Sequence, residues 1–67
     1  MIKFEIENHG VDILLDNDGI EELMKYLQFI KTNDESIHLT AVNELSEDPS
    51  QNGKNIVKHV KIVYINM

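Results

Sequence analysis

The stretch VDILLDNDGIEELMKYLQFI, residues 11 to 30, contains the change of period that decides the fold. Over residues 11 to 16, Val11, Ile13 and Leu15 alternate with Asp12, Leu14 and Asp16, the period of two that belongs to a strand with one buried face. From residue 20 onward Ile20, Leu23, Met24, Leu27 and Ile30 recur at i, i+3, i+4, i+7 and i+10, one stripe of a helix turning ~100° per residue. Asp18 followed by Glu21 has the spacing of a capping box, and Glu21 and Glu22 suit the positive end of a helix dipole. The spacing therefore predicts a helix over residues 19–31. Asp16, Asn17, Asp18 and Gly19 also suggest a calcium loop. Setting Gly19 at that loop's glycine puts Leu14 at the first ligand position and Lys25 at the last, which excludes it.

Upstream, Ile2, Phe4 and Ile6 alternate with Lys3, Glu5 and Glu7, and Asn8, His9 and Gly10 form a turn, so residues 2–16 read as a hairpin. Downstream, Ile37, Leu39 and Ala41 alternate with His38 and Thr40, giving a third strand. A fourth runs over about 56–65, with Val60, Ile62 and Tyr64 inward, because the other parity would bury both His59 and Lys61. The segment VNELSEDPSQNGK, residues 42–54, is a loop rich in turn formers. The expected fold is α+β, in the order β-β-α-β-β. It is one mostly antiparallel four-stranded sheet with a single helix packed on one face and the other face open. Phe4, Ile6, Ile13, Leu15, Leu23, Leu27, Leu39, Val60 and Ile62 are its expected core.

The chain has 67 residues, 42% of them hydrophobic and 27% charged, which is the composition of a single folded domain with a thin core and not of a disordered chain. It has no cysteine, which excludes a disulfide framework and a cysteine zinc site and suits the cytoplasm. No run approaches the ~20 apolar residues of a membrane span, and no secretory signal opens the sequence. The net charge of −6 arises from twelve carboxylates against six lysines with no arginine, which disfavours nucleic acid as a partner. Seven carboxylates fall within residues 1–24, whereas residues 54–67 carry three lysines and no acid.

No catalytic signature is present. His38 and Thr40 make one H-x-T element where paired-histidine phosphoesterases need two, and the matching place reads His59, Val60, Lys61. The histidines lack zinc-ligand spacing, and no phosphate-binding or dinucleotide-binding glycine loop occurs. Neither a catalytic residue, a metal nor a cofactor is expected. Binding to another protein fits better. Phe29 lies ~180° from the Ile20 direction on an ideal helix, with Tyr26 beside it, and aromatic residues so placed anchor interfaces or are covered by the 42–54 loop. Leu14 interrupts the polar side of its strand, while Glu44, Glu47 and Asp48 put charge in a loop that could reach a partner. The open sheet face, with Glu5, Glu7, Asp12, Asp16, His38, His59 and Lys61 among Leu14, Val57, Val63 and Ile65, suits either a foreign protein or a second copy.

The succession of VDILLDNDGIEELMKYLQFI, SIHLT, NELSE and IVKHVKIVYI resembles a small family of bacterial immunity proteins, the thirty-second described from polymorphic toxin systems. The resemblance spans nearly the whole chain, residues 1–67 being read as one immunity-protein-like domain. Its polar markers are Asp16, Gly19, Glu22, His38, Asn43, Glu44 and Leu45. Members often carry a tryptophan and paired glycines just before the N-E-L element, where this chain has Thr40, Ala41 and Val42. The resemblance implies a cytoplasmic protein that binds and neutralises a cognate toxin domain by direct contact. The alternative expectation is a small acidic adaptor or regulatory subunit acting as a homodimer.

Overall fold

The computed structural model describes residues 1–47 and 55–65. Its elements are β1 (Ile2–Glu7), β2 (Gly10–Leu15), α1 (Asn17–Asn33), β3 (Ile37–Thr40), β4 (Asn55–Ile56) and β5 (His59–Ile62). The described residues form an α+β fold, with one helix and antiparallel sheets. The strands do not form one four-stranded sheet. They form a three-stranded sheet in the order β2-β1-β4 and a two-stranded sheet of β3 and β5.

The division arises in the last strand. Asn55 and Ile56 pair with β1, and the Val57 amide donates to the Phe4 carbonyl at 2.8 Å. One residue later the Lys58 carbonyl accepts from the Ala41 amide at 2.9 Å, and His59 to Ile62 run beside β3. A single extended segment thus leaves one sheet and enters the other at Val57–Lys58, as strands do at the corner of packed sheets. Alternation along the sequence is blind to this change of partner.

Strand β1 is paired on both sides. Its full length opposes β2, from Ile2 against Leu15 to Glu7 against Gly10. On its other side Ile2 makes a parallel bridge with Leu45, where the Ser46 amide donates to the Ile2 carbonyl at 2.8 Å, and Glu5 and Ile6 meet β4. The core collects around β1 as Ile2, Phe4, Leu39 and Leu45, with Leu15, Leu23, Tyr26, Ile37, Val57, Val60 and Ile62 packed against it.

The expected core is therefore corrected at three positions, since Ile6, Ile13 and Leu27 are 47%, 53% and 45% exposed. The expected open face is corrected too. Lys3 and Glu5 are buried, and His38, His59 and Lys61 stand on the smaller sheet, apart from them. Lys3 Nζ lies 3.7 Å from Glu5 Oε2, and that oxygen accepts no hydrogen bond.

The helix starts earlier than the capping-box spacing suggests. Asp16 is its N-cap, accepting from the Gly19 amide at 2.8 Å and from the Met1 ammonium. The ammonium holds the Asp16 carboxyl below the usual range, with the Gly19 amide assisting, and Asp16 in turn raises the ammonium above its ordinary value. Asp34 ends the helix in the left-handed region, φ 53°, its amide donating to the Ile30 carbonyl. No helix among the described residues is long and apolar enough to cross a membrane.

Candidate functional site

Three sectors of α1 have different surroundings. Gly19, Leu23, Tyr26 and Ile30, at i, i+4, i+7 and i+11, form the inward sector; Gly19 and Ile30 are buried and the other two pack against the core. Ile20, Met24 and Leu27 lie ~100° round the helix from that sector, on one flank. They are 44%, 64% and 45% exposed. Phe29 lies ~90° round the other way, beside Glu22, and is 46% exposed. Helix period alone groups Ile20, Met24 and Leu27 with Leu23 and Ile30. The close seat of Gly19 against the Met1 backbone rolls the helix so that only the second group meets the core.

The Tyr26 flank is aromatic and acidic. Burial pushes the Tyr26 phenol up from its ordinary value, and the Glu22 and Glu44 carboxylates raise it further. Glu44 also builds the turn after β3. Its Oε2 accepts from the Thr40 amide at 2.9 Å, while the Thr40 carbonyl accepts from the Asn43, Glu44 and Leu45 amides at 3.2, 2.9 and 2.8 Å. Glu47 is exposed two residues beyond Leu45, and Asp48 lies outside the described residues. Of the residues marked out by sequence, Tyr26 and Phe29 lie on adjoining sectors of the helix, and Glu44 stands in the turn next to Leu45, against whose cluster Tyr26 packs. Leu14 does not join them, being half-buried opposite Lys3 on β1. Glu22, which completes the flank, is visible in sequence only as a first-turn acid.

His38 and His59 meet on the smaller sheet. Register sets His38 against Lys61 and Thr40 against His59. The rings stack with centroids 5.0 Å apart, and His38 Nδ1 lies 2.8 Å from His59 Nε2, so one nitrogen donates and the other accepts. The strand reading leaves a His38–His59 pair across neighbouring strands open, although 21 positions separate its members. Among the described residues no group of three or more histidine or carboxylate side chains is placed to hold a metal ion. Glu7, Asn8, His9 and Gly10 line a shallow, open depression at the hairpin turn.

The fold and these surfaces define a small acidic α+β domain with an aromatic, carboxylate-lined helix flank. No protein-family model matches the sequence, and no curated protein or solved structure shows significant similarity to it.

Proposed function

We propose that the protein is a cytoplasmic immunity protein that binds a cognate bacterial toxin domain by direct contact and neutralises it. The observation that carries this reading is the helix flank on which exposed Phe29 stands beside Glu22 and half-buried Tyr26, whose phenol the Glu22 and Glu44 carboxylates hold above its ordinary value. An aromatic anchor supplies slow dissociation and surrounding carboxylates supply fast capture of a basic partner. The net charge of −6 extends the attraction to distances of about a Debye length, ~10 Å at 0.1 M salt.

The test is to read the flanking genes for a toxin domain and to co-express its product, followed by co-purification and binding kinetics at low and high salt. The expected complex associates more slowly as salt rises, and Phe29→Ala mainly raises its dissociation rate. A protein that neither co-purifies with that product nor protects cells from it does not have this function.

A further inference from the structure

The apolar flank opposite Tyr26 belongs to a second surface. Tyr26 packs against the cluster that holds Leu45, and Leu45 bridges β1 on the side away from β2. The flank bearing Ile20, Met24 and Leu27 therefore points toward β2. On β2, Val11 and Ile13 are 57% and 53% exposed and share the sheet face of Ile2 and Phe4. Strand β2 is also an edge. Among the described residues it pairs with β1 alone. Phe4 offers its carbonyl to Val57 and Ile2 offers its own to Ser46, both away from β2. Their register partners Ile13 and Leu15, and with them Val11, accordingly turn their backbone groups away from β1 toward the free edge.

We propose that this edge binds a second copy of the chain, β2 against β2 in antiparallel register about a two-fold axis at Ile13. A second copy suits this edge on three counts. An antiparallel strand is self-complementary, so Ile13 pairs with its symmetry mate and Val11 with the mate's Leu15, each exchanging outward backbone bonds. Charge selects this register. It sets Asp12 against Leu14, whereas a two-fold at Asp12 sets two carboxylates face to face in the close, non-hydrogen-bonded pair. Finally, the two-fold lays both helices on one face of a continuous sheet, where the two Ile20, Met24 and Leu27 flanks approach each other over the Ile13 seam. The Tyr26 flank remains free for another partner, so the dimer does not depend on the function proposed above.

Sedimentation equilibrium of the full chain, from micromolar to about 1 mM and at low and high salt, tests the proposal. The expected species is a dimer of twice the 7.7 kDa chain mass. It tightens as salt rises, because two chains of charge −6 repel. Binding of a basic toxin responds to salt in the opposite sense. Ile13→Lys sets two like charges on the axis at an exposed position and is expected to give a folded monomer by circular dichroism that still binds the toxin. Ile13→Cys is expected to form an intermolecular disulfide under mild oxidation, since Cα atoms of a hydrogen-bonded pair lie ~5.5 Å apart. The same change at Val42, 90% exposed, is expected not to. A monomer at every concentration, or a dimer indifferent to Ile13→Lys, overturns the proposal.

Discussion

Two glycines allow the seating of the helix to be tested by the same chemical change with opposite expected signs. Gly19 lies in the first turn of α1, and a Cβ there would stand 1.9 Å from the Met1 carbonyl oxygen and 2.7 Å from its carbon. Ordinary contact begins near 3.4 Å, so the helix start or the β1 backbone must move by more than an ångström. That movement lengthens the 3.3 Å bond from the Asp16 amide to the Met1 carbonyl and disturbs Ile2, which is fully buried. Overpacking of this kind costs ~1 to 3 kcal/mol and a lost hydrogen bond ~1 kcal/mol, against a helix-propensity gain of about 1 kcal/mol for alanine over glycine. Gly19→Ala is thus expected to destabilise by ~1 to 3 kcal/mol. In a domain this small that lowers Tm by roughly 5 to 20 °C. At Gly10 a Cβ meets nothing within 4 Å, and Gly10→Ala is expected to be neutral or to stabilise by up to ~1 kcal/mol through the unfolded chain. Thermal and urea unfolding followed by circular dichroism measure both. If Gly19→Ala is as stable as the parent, the close approach of helix and β1 is not a feature of the folded protein.

Further expectations follow from the buried charges, the helix cap and the exposed stripe. Lys3→Met leaves the Glu5 carboxylate buried and unpaired and should cost ~3 to 5 kcal/mol, while the double change Lys3→Met with Glu5→Leu should return stability near that of the parent; urea midpoints decide. The depressed Asp16 carboxyl contributes stability that is present above its unfolded value, about 3.9, and is lost as pH falls through its lower folded value. The raised Met1 ammonium contributes stability present below about 8 and lost as pH rises through its higher folded value. Tm against pH should therefore droop at both ends, and Asp16→Ala should flatten both limbs. Leu27→Ala, at a half-exposed site, should cost a dilute monomer about 1 kcal/mol and not the 2 to 5 kcal/mol of a buried leucine, as equilibrium unfolding at low concentration will measure.

The legible parts of the fold were those fixed by neighbours in sequence. The hairpin pairing Ile2 to Glu7 with Gly10 to Leu15, the helix through Leu23 and Ile30, and the strand at Ile37 to Thr40 all follow from local period. What period does not encode is the partner. Nothing near Val57 signals that its strand changes sheets, and nothing near Lys3 signals that the polar side of β1 is buried. The same blindness governs the surfaces. Ile20, Met24 and Leu27 carry the signature of a core stripe because period records that one side of a helix is apolar, not what lies opposite it. A domain of this size has too little core to cover both stripes. Tyr26, Phe29 and Glu44 were legible as residue types, whereas the place of Glu44 next to the cluster that Tyr26 packs against depends on the turn that Thr40 and Glu44 build.

The two-sided pairing of β1 also sets a schedule for the chain's synthesis. Its β2 edge is completed by the residues that immediately follow, but the edge reserved for Ile56 must wait for a segment made roughly fifty residues later. At ~5 to 20 residues per second, that edge stands open on the nascent chain for ~3 to 10 s. An unpaired strand reading IKFEIE recruits other chains unless charges break its run of apolar residues. Lys3, Glu5 and Glu7 supply those charges. A pair that burdens the finished fold thus guards the polypeptide while it is still being made.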